Sequence, residues 1–439
     1  MNPEQFITKR GVLPRMPVLT RRQVLGLAGS LPVAGLPNSR LWAKPSGRVV
    51  VLGGGFGGAM CAKYLRLAAP ELEVSLVTAE ERFISCPFSN TALVGLRDLA
   101  SLTHGYRTLQ ERYGVRLIHA RATQLDPARH RLSLADGQSL AYDKLVLSPG
   151  VELRWGAPHG YDRAAAEVFP HAWQAGPQTV LLGRQLTAME DGGLVVIAVP
   201  ETPYRCPPGP YERASLIAHY LKTHKPRSKV LILDAKDTFT KDQLFLAAWQ
   251  HLYPGLLEWV AGSQGGRVIE VESKAGVVRT EFDEYTPAVA NIIAPQRAAA
   301  IARTAGLDQD RGWCAVKASS FESVVHPDVH IIGDAAIANP MPKSAFSANI
   351  QAKACALAIV AQLRGQPLAQ PVLMNTCYSL VAPDYGISIS AVYRVENDTI
   401  RVVPGSSGTS PLDAPDATRA LEADYARSWY ANITADTFA

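Results

Sequence analysis

The residues best suited to redox chemistry are two cysteines set far apart in the chain. Cys206 stands in "YRCPPGPYER" (204–213), directly after the apolar run "GLVVIAVP" (193–200). Cys377 stands in "LMNTCYSLVAPDYGISISAVY" (373–393), flanked by residues typical of loops. Pro203, Pro207, Pro208 and Pro210 limit backbone freedom around Cys206 and would hold its thiol in place. Glu212, with Arg213 beside it, follows near the start of a helix. The chain has six cysteines. Cys61 and Cys355 sit in helical, apolar settings, and Cys314, in "GWCAV", reads as a strand-edge packing residue. Spacing alone selects no pair. Local context favours Cys206 and Cys377 as a redox-active disulfide, while a structural disulfide or two unrelated buried thiols would use the same residue types.

A redox pair needs an electron acceptor, and the flanking elements describe one. "SGRVVVLGGGFGGAMCAKYLRLAAPELEVSLVTAEERF" (46–83) reads as strand, glycine turn, helix, strand. Gly53, Gly55 and Gly58 fit G-x-G-x-x-G. The first allows the tight turn, the second admits a pyrophosphate and the third lets helix and strand approach. An acid should close the second strand and hold the ribose, but "VSLV" leads to Thr78. Glu80 is the candidate, with Glu81 or a threonine hydroxyl as alternatives. "HPDVHIIGDAAIANPMPKSAFSANIQAKACALAIVAQL" (326–363) supplies a strand ending in Gly-Asp, a loop and a long helix. Asp334 there can accept from a ribityl hydroxyl, and the helix N-terminus can stabilise charge on a reduced flavin. An Asp-capped turn is the plainer reading of that stretch alone; joined to the glycine turn it points to FAD. Cys86, in "ERFISCPFSN", lies where a thiolate could reach the dimethylbenzene edge of the flavin and bond to it covalently.

These pieces predict an α/β fold: two Rossmann-like dinucleotide-binding domains of the disulfide-reductase type, followed by a C-terminal α+β interface domain. The FAD domain is split (44–158 and 296–367), the second, NAD-like domain is inserted (159–295), and the interface domain spans 368–439. In the inserted domain the strand and helix are present, but only Gly209 remains between them, among prolines. Proline has no N–H to donate, so this turn cannot cradle a pyrophosphate well and the electron donor is not expected to be a nicotinamide.

The first 43 residues differ from the rest. Arg21 and Arg22 precede a Gly/Ala/Leu-rich stretch that ends at Ala43, the pattern of a twin-arginine export signal. That segment carries six basic residues against one acidic, which accounts for the chain's formal charge of +5. The remainder is formally neutral, which argues against a nucleic-acid or polybasic membrane surface. No transmembrane segment is expected after the leader, and the location expected is the periplasm.

The chain resembles the flavoprotein (FAD-binding) subunit of flavocytochrome c sulfide dehydrogenase over nearly its whole mature length. The resemblance rests on "VVVLGGGFGG", "SLTHGY", "PHAWQAG", "DGGLVVIA", "YRCPPGPYERAS", "APQR" (294–297), "GWC", "GDAAIANPMPKSAFSAN", "NTCYSLVAPDYGIS" and "SWYANITADTFA". It implies that Cys206 and Cys377 form the active disulfide, that Glu212 is the nearby acid/base, and that Cys86 is the cysteinyl link to the flavin 8α-methyl. Pro87 stands where the family pattern leads one to expect an aromatic. It further implies hydrogen sulfide as substrate and a c-type cytochrome partner in a heterodimer. The chain has no C-x-x-C-H, so haem c belongs on that partner. A membrane-docked sulfide:quinone oxidoreductase is the alternative, and "TRALEADYARSWYANITADTFA" is acidic and polar for that role. A non-catalytic, FAD-containing partner of a sulfur-oxidising complex is another.

Overall fold

The computed structural model describes residues 47–439, so the export signal expected over 1–43 lies outside it. β1 (Arg48–Leu52) is buried on both faces from Val49 onward, as an interior strand of a helix-covered parallel sheet must be. It passes through the glycine turn into α1 (Phe56–Ala68) and on to β2 (Glu73–Thr78), β3 (Arg116–His119) and β4 (Lys144–Leu147). Strand 329–331 completes the sheet on the far side of β4. All neighbours in this five-stranded sheet run parallel.

β5 (Val151–Leu153) then leads into a second α/β unit. Its elements are α2 (Pro177–Ala188), β6 (Leu194–Val199), α3 (Gly209–His224), β7 (Lys229–Asp234), α4 (Asp242–Leu252), β8 (Leu257–Val260) and β9 (Val289–Ile292). The four strands lie in the order β8-β7-β6-β9, again all parallel. The chain returns through β10 (Gln296–Ala298), which pairs antiparallel with β5, so the way in and the way out of the inserted unit are one ribbon.

β11 (Val329–Ile331) is the last strand of the first sheet, and α5 (Ala345–Leu363) packs back against α1. Cys61 and Cys355 are fully buried between those helices, thiol to thiol. α5 is long and apolar enough to cross a membrane by length and composition, but more than half of it is buried inside the protein. The chain ends in an antiparallel sheet of β12 (Val372–Ala382), β13 (Tyr385–Glu396) and β14 (Thr399–Val402), covered by α6 (Asp416–Phe438). The apolar face of α6 is used inside the protein: Phe438 stacks on His104 at 4.9 Å and on Phe83 at 5.5 Å.

Candidate active site

The glycine turn is forced by close approach. Gly53 has φ +107°, and a Cβ there would lie 2.2 Å from the Ser148 carbonyl oxygen, while a Cβ on Gly58 would lie 1.8 Å from the Gly53 carbonyl oxygen. Gly55 is the N-cap of α1. Ser148, at the end of β4, also meets Gly57 and Gly333, so the two motifs that flank the inserted unit in sequence converge on one residue. Glu80 is exposed, just past the end of β2. The Thr78 hydroxyl is engaged by the Glu80 carbonyl at 3.2 Å, and Glu80 and Glu81 are both exposed at that strand end.

Asp334 lies in the short turn after β11. Its Oδ1 is buried and has no partner, and burial pushes its carboxyl above the ordinary range. Two donors nearby are in the same condition, Trp173 Nε1 and Gln296 Nε2. All three surround Arg205: its amide donates to Gln296 Oε1 at 3.0 Å, its guanidinium donates to the Trp173 carbonyl, and its charge is felt by Asp334. The Cys86 thiol points at the same Trp173 carbonyl, at 3.9 Å. Orphaned buried polar atoms are costly unless a ligand completes them. An acceptor and two donors beside a cysteine fit the polar edge and ribityl chain of a flavin.

Cys206 sits at φ +56°, a left-handed conformation that its neighbours must hold in place. Its amide donates to the Lys343 carbonyl at 2.8 Å, and its carbonyl accepts from Gly209 N at 2.8 Å. Pro208 is the N-cap of α3 and Pro210 lies in its first turn, where the missing N–H does no harm. Gly209 is needed by sulfur and ring, not by a phosphate. A Cβ there would lie 2.9 Å from the Trp173 ring and 3.0 Å from Cys206 Sγ.

Cys377 corrects its sequence reading. It is not in a loop but in the middle of β12, paired with Ile389 of β13. Asn375, on the same face two residues earlier, accepts from Ser344 Oγ at 2.6 Å, and Ser344 caps α5 through Ser347 N. Both cysteines are therefore anchored at the 343–344 step: Cys206 through the Lys343 carbonyl, Cys377 through its strand neighbour and Ser344. The two thiols are close enough that ionising Cys377 opposes ionising Cys206. The disulfide expected between them is not formed, and each is a free thiol. Burial, foremost, pushes both above the ordinary thiol value, so at neutral pH both hold their protons.

Glu212 closes the cluster from the first turn of α3. Oε2 accepts from Asn90 Nδ2 at 2.8 Å and Oε1 from Leu380 N at 2.9 Å. Burial raises its carboxyl above 4.5 despite those two donors and the charges of Lys241 and Arg213. Arg213 has a scaffold role. It donates to Asn90 Oδ1, Asn291 Oδ1 and the carbonyls of His171 and Ala172, which fixes the segment carrying Trp173. His171 is held neutral, lowered to about 4 mainly by burial and then by Arg213.

Sequence reasoning missed several members of this site. Asn90 had a signal, since it shares the stretch "SCPFSN" with Cys86. Lys241, in "TFTKDQLF", resembles any residue at a helix start, whereas Trp173, Arg205 and Gln296 lie inside "PHAWQAG", "YRCPPGPYERAS" and "APQR", stretches that mark the family without assigning these three a role.

The proline-flanked turn of the inserted unit is also filled from within. β7 ends in Asp234, the position that would read a nucleotide ribose. Its carboxylate is fully buried and engaged by the Tyr211 hydroxyl at 2.5 Å, Trp259 Nε1 at 3.1 Å and Lys236 at 2.5 Å. The Tyr211 ring stacks on Phe239 at 3.7 Å.

Comparison with known proteins adds the family. Residues 179–294 match the family model for the central part of the sulfide dehydrogenase (flavocytochrome c) flavoprotein chain. Residues 369–438 match the flavin-binding part of flavocytochrome c sulphide dehydrogenase, and residues 47–167 match pyridine nucleotide-disulphide oxidoreductase. The flavoprotein chain of sulfide dehydrogenase (flavocytochrome c) from Chlorobaculum thiosulfatiphilum is 60% identical over 43 residues, 10% of this chain and 90% of that sequence. Sulfide-quinone reductase of Aquifex aeolicus is 28% identical over 182 residues, and this chain spans only 41% of that relative's length. The crystal structure of the sulfide:quinone oxidoreductase of Aquifex aeolicus superposes with a TM-score of 0.70 at 16% identity, covering 89% of this chain and 92% of that one. That likeness establishes a shared fold.

Proposed function

The chain belongs to the family of flavocytochrome c sulfide dehydrogenase flavoprotein chains, and from that premise we propose that it oxidises hydrosulfide at the Cys206/Cys377 pair and passes the electrons through FAD to a c-type cytochrome. The observation that carries the reading is the convergence of Cys206, Cys377 and Glu212 into one buried cluster anchored at the start of α5. In its oxidised form the pair is a disulfide. Hydrosulfide attacks one sulfur, the S–S bond breaks, and the products are a persulfide on one cysteine and a thiolate on the other. Over a full cycle each hydrosulfide gives up two electrons and one proton and leaves at the oxidation level of elemental sulfur. Glu212, whose carboxyl burial raises above the ordinary range, takes the proton from incoming sulfide in its carboxylate form and returns it to solvent.

Bound FAD supplies a two-electron acceptor that can release electrons singly. Gly53, Gly55 and Gly58 would hold its pyrophosphate, Glu80 its adenosine ribose and Asp334 its ribityl chain. Cys86 would tether it covalently, which suits a protein exported to the periplasm where cofactor is not replenished. The haem resides on a partner chain in a heterodimer. The internal use of the apolar face of α6 supports this reading over a membrane-docked quinone reductase.

The test is anaerobic addition of sulfide to the purified holoprotein. Stoichiometric bleaching of the flavin is expected, with reoxidation by a c-type cytochrome faster than by a short-chain quinone. C206S and C377S should each abolish bleaching. Near-normal reduction in either variant refutes the disulfide route, and faster reoxidation by quinone favours the alternative enzyme.

A further inference from the structure

The cluster contains one group for which the scheme above has no use. Lys241 is the N-cap of α4 and sits at φ +65°, again left-handed. Its side chain runs inward and is buried. The ammonium donates to Ser379 Oγ at 2.8 Å and to the Ile387 carbonyl at 3.4 Å. Ser379 and Ile387 are directly opposite one another on β12 and β13. Ser379 follows Cys377 by two positions, so both side chains project from the same face of β12, and the ammonium lies against the face that carries the sulfur.

Both oxygens that receive these hydrogen bonds are neutral. A buried ammonium compensated by neutral oxygens and by the face of the Phe245 ring at 5.7 Å is still costly, and a nearby anion would offset that cost. The charged and titratable groups around it are few. Cys377 acts on it most strongly, followed by Glu212 and Cys206 on the α3 side and Glu422 on α6. Arg213 and Arg205 are the other cations of the cluster; the Arg205 guanidinium donates to the Trp173 carbonyl, and Arg213 donates to the His171 and Ala172 carbonyls and to Asn90 and Asn291. Lys241 is the leading favourable charge acting on Cys377, whereas around Cys206 the anions Cys377 and Glu212 outweigh it.

We propose that Lys241 is a positioning residue whose ammonium, seated on the sulfur-bearing face of β12, lets the buried pair carry negative charge and makes Cys377 the more readily ionised of the two thiols. This rests on the pair being the reactive site. It adds a requirement that the family scheme does not contain: each turnover creates an anionic sulfur in a buried cluster, and the charge that accommodates it comes from α4.

The experiment is a pH profile of thiol alkylation in the reduced holoprotein, using iodoacetamide and following the Cys206 and Cys377 peptides separately by mass. Only the thiolate reacts. In the unaltered protein Cys377 should alkylate at lower pH than Cys206. K241Q keeps a hydrogen-bond donor for Ser379 and Ile387 but removes the charge, and should shift the Cys377 midpoint upward by about one pH unit or more. That shift appears as roughly tenfold less alkylation at a fixed pH on the rising limb. K241R should restore the profile. A purely structural role would lower the melting temperature of K241Q and leave the midpoint in place, and that result overturns the inference. If neither variant folds, the unaltered protein decides, because equal midpoints or a lower one for Cys206 also overturn it. Sulfide-driven bleaching that survives in C206S or C377S would instead refute the underlying function, whatever the alkylation profile shows.

Discussion

E212Q separates the proton-handling role of Glu212 from its structural one. The carboxylate accepts two hydrogen bonds, from Asn90 Nδ2 at 2.8 Å and from Leu380 N at 2.9 Å. Glutamine offers one acceptor oxygen and one NH2, so one of those donors is left facing another donor. Asn90 cannot relieve the conflict by turning its amide over, because its Oδ1 already accepts from Arg213 Nε at 3.0 Å. One buried donor is therefore stranded, at a cost of about 1–3 kcal/mol of stability. The loss in sulfide-driven flavin reduction should be much larger, about a hundred- to ten-thousand-fold for a removed general base. The pH dependence identifies the group. Burial raises the carboxyl above 4.5, so the folded state favours its protonated form. Its contribution to stability is fully present below 4.5 and is lost as pH rises through the raised value. The base is formed over that same rise, so the rate should climb through a limb lying above 4.5. Anaerobic stopped-flow measurement of flavin reduction across pH, alongside chemical denaturation, reads both quantities. Ionisation of sulfide itself also produces a limb, but that one survives in E212Q. A variant that retains every limb and most of the rate would show that Glu212 handles no proton.

Three further outcomes are expected. G209A should leave the fold intact but displace Cys206 Sγ, which a new Cβ would approach to 3.0 Å. Sulfide reduction should fall more than tenfold while flavin content is unchanged, and an unaltered rate would show that the sulfur has room to move. C86S should release its flavin on acid precipitation while the unaltered protein retains it, and flavin lost equally from both excludes the covalent link. NADH added anaerobically should leave the flavin oxidised at concentrations well above those at which sulfide bleaches it, and rapid reduction by NADH would show that the inserted unit still binds a dinucleotide.

How much of this was legible in the sequence depends on how local each signal is. Strands buried on both faces, such as "RVVVL" and "GLVVIAV", announce themselves by composition, and Gly53 and Gly58 by a spacing that only close approach explains. Pro208 and Pro210 were legible as well, because proline acts through its own backbone. Cys377 was misread because Asn375, Ser379 and Pro383 around it resemble a loop, and no buried–exposed alternation marks residues 376–382 as a strand; what makes them one is pairing with β13. The same limit hid Lys241 and Gln296. Their significance lies entirely in what the fold brings opposite them, Ser379 in one case and Arg205 in the other, and neither partner is near in sequence.

The inserted unit shows how one turn can be given a new purpose without a change of scaffold. A parallel βαβ unit presents the turn after its first strand to whatever lies across the domain boundary. For a dinucleotide that turn must offer free backbone N–H groups. Here Pro207, Pro208 and Pro210 remove three of them, and Cys206 N is committed to Lys343. Tyr211, Asp234 and Phe239 meanwhile occupy, as a hydrogen-bonded and stacked core, the region where ribose would rest. Each change carries a benefit that the others make usable. The prolines hold the sulfur in place, the filled ribose site stiffens the first turn of α3, and that turn carries Glu212. Re-creating a glycine-rich turn would therefore not by itself restore nucleotide binding, because the Tyr211–Asp234–Phe239 core would still have to open, at the cost of a buried carboxylate losing its partners.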